Sequence, residues 1–208
     1  MPYNVELTLF IVLAIAIGSA FLFWFGFGPA QRYYRKHHTV KAYYPKVYRV
    51  ALDNDFYLIN NFSNRTAESE EFHIDHILIG NKFIYVIRDR YYDGALAAKE
   101  TDQSWIFFHG KKGRYVPNPV IMNKLRMQRL SLMSGIDEKF FISVVLINDD
   151  CYLTPYESQT DNSFLSSLRD FPRLIEEIEA RDVAPLDPQA IAVVARDFAE
   201  LNQTPHGK

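Results

Sequence analysis

The residues best suited to chemistry lie between positions 72 and 94. The run Phe72-His73-Ile74-Asp75-His76-Ile77-Leu78-Ile79 carries an acid and two histidines. The run Tyr85-Val86-Ile87-Arg88-Asp89-Arg90-Tyr91-Tyr92-Asp93-Gly94 adds two acids and two arginines. In an extended chain successive side chains point to opposite faces. His73 and His76 then fall on opposite faces and cannot jointly hold a zinc ion, and Asp89 points away from Arg88 and Arg90. Asp89 and Asp93 are two further acids that a divalent-cation site could draw on. A second group, Lys111, Lys112 and Arg114 with Lys124, Arg126 and Arg129, offers a basic face for phosphates; its plainer reading is solvated turn and helix surface. No glycine-rich phosphate loop and no serine–histidine–acid arrangement is present. Cys151 is the single cysteine, which excludes an intrachain disulfide and a cysteine zinc site and fits a reducing compartment.

The elements that must position these residues follow from periodicity and turn chemistry. Residues 40–52 have loose helical spacing, closed by Asp53-Asn54-Asp55. Phe56 to Ile59 predicts a short strand, and Asn60 to Ser69 a polar loop. Phe72–Ile79 and Phe83–Ile87 form a hairpin around Gly80-Asn81-Lys82. Ser104–Phe108 and Arg114–Val116 form a second hairpin across His109-Gly110-Lys111-Lys112-Gly113. Asn118 caps a helix with Pro119 at its first position, running to about Ser134 and ending at Gly135. The almost continuous apolar run Phe140–Ile147 predicts a strand buried on both faces. Beyond it, Ser163 caps a short helix broken at Phe171-Pro172. A second helix carries Leu174, Ile175 and Ile178, and a third runs from Asp187-Pro188 to about Leu201. The fold class is α/β, with a mixed central sheet flanked by helices.

Upstream stands a different kind of segment. Leu7 to Gly28 contains no charged residue. As a helix rising 1.5 Å per residue it is long enough to cross a hydrocarbon core of roughly 30 Å. A cleaved signal peptide would want a basic start and a shorter apolar run, whereas Glu6 stands here. Arg32, Arg35, Lys36 and Lys41 follow the run, and the positive-inside rule then places the C-terminal part in the cytoplasm and the first residues outside. The expected organisation is an anchor over residues 1–30, a basic juxtamembrane linker over 31–41, a domain over 42–155 and C-terminal helices over 156–208. The bilayer is thus the first partner. Ala14 and Gly18 form a small-xxx-small pair through which two anchors could dimerise. A net charge of −2 demands no polyanionic partner, and a 48% hydrophobic content supports a buried core.

The stretch from Phe72 to Gly94 resembles the nuclease-related domain (NERD) family, of restriction-endonuclease-like PD-(D/E)xK fold. Ile74-Asp75-His76 is similar to the family's Ile-Asp-His strand, and Tyr91 or Tyr92 with Gly94 to the end of its Glu-x-Lys-Asn-Tyr strand. The step from Asp75 to Arg88 resembles the family's spacing from Asp to Glu. Trp105 resembles its strand tryptophan, and Asn118-Pro119-Val120 with Asn123 its helix start. The likeness spans about residues 40–155.

In active members, two carboxylates and a lysine serve Mg²⁺-dependent cleavage of DNA or RNA. By this resemblance Arg88 stands at the Glu position, Arg90 at the Lys position and Met122 at the helix glutamine, while Lys46 is nearest to the early helix glutamate. A guanidinium cannot lose its proton to admit a metal ion. The implied site, Asp75, Arg88, Arg90 and Met122, is therefore vestigial, with no cofactor expected. The expected role is a membrane-anchored binding or assembly module for an unknown protein, or for nucleic acid through Arg88, Arg90, Lys111 and Lys112. The alternative is a Mg²⁺-dependent nuclease with relocated ligands. If the hairpin follows the family's register, around the four-residue turn Gly80 to Phe83, Asp75 lies opposite Arg88, with a salt bridge to Arg88 or Arg90 and with His76 buried on the other face.

Overall fold

A computed structural model describes residues 4–64, 72–156 and 158–203. The chain divides into two compact units, residues 1–42 and 43–208.

The first unit is dominated by helix α1, Val5–His37. Its apolar side chains are exposed along its length, from Leu7 to Phe27. This one helix is long and apolar enough to cross a membrane. It continues through Pro29 and through the basic segment, so the expected linker is helical. The loss of one backbone donor at Pro29 costs less here than the bonds retained on either side. Helix α2, Thr39–Asp53, follows at once.

In the second unit a five-stranded sheet has the order β1-β2-β3-β7-β9, formed by Tyr57–Asn64, Phe72–Ile79, Ile84–Arg90, Phe141–Ile147 and Ser163–Ser167. β1, β2 and β3 are antiparallel; β7 lies parallel to β3, and β9 parallel to β7. The sheet is mixed, as expected. The β2–β3 hairpin pairs Ile79 with Ile84 around a four-residue turn. Every residue of β7 is buried, the state its apolar run predicts. A smaller sheet has the order β6-β5-β4-β8: Lys112–Pro117, Ser104–His109, Ala95–Ala97 and Tyr152–Leu153.

Helix α3, Pro119–Ser134, covers β3 and β7. Asn118 starts it as expected: its Oδ1 accepts from the Val120 amide at 2.9 Å. The same side chain donates to the Glu100 and Asp102 carbonyls at 2.9 and 2.8 Å, tying the helix start to the loop before β5. Gly135 ends the helix in the left-handed region. Helix α4 is Phe171–Glu179 and helix α5 is Pro188–Leu201. Phe198 of α5 enters the core beside Phe62 and Phe72, while Trp105, Val120 and Val145 share a second cluster.

Three expectations need correction. Ser163 does not cap a helix; it opens strand β9, whose pairing with β7 supplies bonds that local propensity does not favour. The segment 156–208 is therefore not wholly helical. Asn60 to Asn64 is strand rather than loop, because β2 offers a long apolar partner; residues 65–69 of that expected loop lie outside the described residues, as does Glu71. The second hairpin closes with His109 paired to Lys112, so its turn is the two residues Gly110 and Lys111, with Gly110 at φ +61°.

Candidate site around Asp75

Asp75 sits near the end of the β2–β3 ladder, one step beyond the pair His76–Ile87, which places Arg88 opposite it. Arg88 Nη1 donates to Asp75 Oδ1 at 2.8 Å. The Asp89 amide donates to the other carboxylate oxygen at 2.8 Å. His73, two residues before Asp75 and so on the same face, brings Nε2 within 3.2 Å of Oδ1. Burial by itself would raise the Asp75 carboxyl. The His73 contact, the Arg88 charge and the Asp89 amide together outweigh it and hold the carboxyl below its ordinary value.

The opposite face carries a separate buried chain. His76, fully buried, has Nδ1 2.6 Å from Asn60 Oδ1 and Nε2 2.9 Å from Asp89 Oδ2. The Asn60 oxygen can only accept, so Nδ1 carries a proton, and one further proton lies between Nε2 and Asp89. Burial pushes the Asp89 carboxyl up, against the pull of His76. The two histidines thus serve two different carboxylates, one on each face.

Helix α3 is clamped to the Asp75 face by Asn123. Its Nδ2 donates to the Val86 carbonyl at 2.8 Å and lies 2.9 Å from Ser143 Oγ, the paired position on β7. Val86, Arg88 and Arg90 alternate onto one face, and Arg126 stands three residues after Asn123 on the inner side of the helix. Arg126 therefore joins Arg88 and Arg90 around Asp75. Burial, then the charges of Arg88 and Arg90, pulls the Arg126 guanidinium below its ordinary value; burial followed by Arg88 does the same to Arg90. Arg90 is further positioned by its own backbone, whose carbonyl accepts from the buried Tyr43 hydroxyl at 3.0 Å.

The sequence model of the nuclease-related domain family matches residues 36–148, more than half of the chain. The chain belongs to the NERD family. Its restriction-endonuclease-like fold is accordingly the one carried by the mixed sheet and α3. Among curated proteins no relative matches. A crystal structure of a protein of unknown function, AF1548, is similar with a TM-score of 0.32 and 12% identity, over 77% of this chain and 79% of that one. A likeness that low carries no argument here.

Within this NERD domain the site residues named from sequence are only partly brought together. Asp75, Arg88 and Arg90 share a face, while Met122 is exposed on α3 and contributes its carbonyl to Arg126 Nη1 at 3.0 Å. Lys111 and Lys112 lie exposed at the tip of the β5–β6 hairpin. Asp93 faces the exposed His109. Cys151 lines a cavity of about 450 Å³ with Asn148, Ser166 and Asp170, and burial raises its thiol to about 11, which keeps it an unreactive neutral group. Sequence reasoning missed His73 as an Asp75 partner, although the two-residue spacing signals it. It placed Arg126 only on a diffuse basic face, since its approach to Asp75 depends on how α3 docks.

The divalent ion implied by the family does not fit these residues. Among the described residues of β2 and β3, Asp75 is the one carboxylate on its face, and a guanidinium stands against it. At about 4 Å and an effective dielectric near 20, each unit positive charge would repel another by about 4 kcal/mol. Among the described residues no group of three or more His, Cys, Asp or Glu could hold a metal ion.

Proposed function

We propose that the chain is a membrane-anchored NERD domain that binds rather than cuts, serving as a binding or assembly module on the cytoplasmic side. The observation behind this reading is the 2.8 Å contact from Arg88 Nη1 to Asp75 Oδ1, which puts a permanent cation against the acid an active relative would use for metal. The rival reading, a Mg²⁺-dependent nuclease with relocated ligands acting on DNA or RNA, lacks comparable support. Asp89 is engaged with His76 and Asp93 with His109. The orientation rests on the basic residues after the apolar helix. Gly18 is open on that helix, so the Ala14–Gly18 face leaves room for a second copy.

The deciding experiment incubates the purified full-length chain with labelled DNA and RNA, with and without Mg²⁺. The expected outcome is intact substrate in every lane. Robust Mg²⁺-dependent cleavage that Asp75→Ala abolishes would overturn the proposal.

A further inference from the structure

We infer that Arg88, Arg90 and Arg126 around Asp75 form a receptor for a doubly charged phosphate monoester. This deepens the binding reading above and rests on it.

The argument begins with charge. Three guanidiniums and one carboxylate leave a formal excess of two positive charges on one face of β3. Partly buried cations are expensive without a counter-charge. Arg88 has one, Asp75. Among the described residues neither Arg90 nor Arg126 has a carboxylate within salt-bridge distance. Each donates only to a backbone carbonyl: Arg90 Nη1 to Asp89 at 3.2 Å, and Arg126 Nη1 to Met122 at 3.0 Å. Their remaining N–H groups are uncommitted, and Arg88 Nε is buried with no acceptor. Other arginines of the domain are differently disposed. Arg114 lies over the Phe107 ring at 5.2 Å, Arg129 over Phe72 at 4.7 Å, and Arg173 pairs with Glu177 at 2.8 Å.

The surplus selects the ligand class. A phosphate monoester carries roughly −1.5 to −2 near neutral pH and presents three acceptor oxygens. A diester linkage within a nucleic-acid backbone carries a single charge and would leave half the excess unmatched. Planar guanidinium forks suit phosphate oxygens bidentately. The same chemistry is offered by free inorganic phosphate and by the 5′-phosphate end of an oligonucleotide. Asp75 holds Arg88 at the sheet, leaving Arg90 and Arg126 as the arms that close on the anion.

The test uses the full-length chain in a phosphate-free maltoside detergent and isothermal titration calorimetry. Three titrants are compared: inorganic phosphate, a 5′-phosphorylated oligonucleotide and the same oligonucleotide with a 5′-hydroxyl. Inorganic phosphate is expected to bind, and the 5′-phosphate to be preferred over the 5′-hydroxyl by about tenfold or more. Arg90→Ala and Arg126→Ala should each weaken both phosphate ligands by about tenfold, while Arg173→Ala should not. Arg126→Lys, which keeps the charge and tolerates the same backbone, should retain part of the affinity if the alanine variant folds poorly. Binding by inorganic phosphate alone assigns the site to the free anion. Equal binding of the two oligonucleotides overturns the monoester class yet leaves a non-cleaving binding module standing. Absence of binding by inorganic phosphate and by the 5′-phosphorylated strand overturns the receptor. Cleavage of either oligonucleotide in Mg²⁺ would instead overturn the non-cleaving reading beneath it.

Discussion

The Arg88 guanidinium lies 2.8 Å from the Asp75 carboxylate, with side-chain exposures of 17% and 3%. The pair joins neighbouring antiparallel strands across the end of their ladder. Because little water reaches it, each partner depends on the other more than in a surface ion pair.

Arg88→Ala should therefore destabilise the domain by about 3 kcal/mol, because it strands a buried carboxylate. Asp75 keeps the Asp89 amide and His73, which places the loss toward the lower end of the buried-pair range. Removing both partners, as Asp75→Asn with Arg88→Met, should cost less than the sum of the single changes. A double-mutant cycle by chemical denaturation checks both statements; additive losses would show that the two residues do not interact.

Acid sensitivity follows from the same carboxylate. The folded protein holds Asp75 below its ordinary value. Its contribution is then fully present above the unfolded value of about 3.9 and is lost as pH falls through the lower folded value. Asp89 has the opposite sign, since burial favours its protonated form and its contribution declines as pH rises. Comparing the parent with Asp75→Asn isolates the first group. The stability gap between them should be constant from about pH 5 to 7 and should narrow toward pH 3, measured by urea denaturation at each pH.

Gly94→Ala should lower stability by about 1–3 kcal/mol. A Cβ at this position would run into the Phe108 carbonyl oxygen, a backbone atom that cannot swing aside. Gly94 immediately precedes strand β4, whose Ala95 pairs with Phe108. Thermal denaturation monitored by circular dichroism checks it; an unchanged Tm would mean that the two strands separate freely.

For topology, protease added outside sealed, right-side-out membranes should leave the C-terminal domain whole. The basis is the cluster Arg32, Arg35, Lys36 and Lys41 on one side of the apolar helix. Digestion of the domain before the membranes are opened would reverse the orientation.

Much of this protein was determined by sequence alone, for reasons that are local. An uncharged run of the right length makes α1 a candidate span wherever the domain sits. The family likeness supplies the hairpin register that sets Asp75 against Arg88, and a period of two puts His76 on the other face; its meeting with Asp89 there is decided by the fold. Asn118-Pro119 carries its own cap chemistry, so α3 begins where the sequence says. Other features were decided only in three dimensions. Ser163–Ser167 and Asn60–Asn64 have weak strand propensity and become strands because β7 and β2 present backbone partners distant in sequence. Arg126 reaches the arginines of β3 because Asn123 docks α3 through the Val86 carbonyl, and no spacing within the helix encodes that contact. The charge excess around Asp75 exists only once sheet and helix have met, since it depends on which cations burial brings together and which carboxylates it leaves elsewhere.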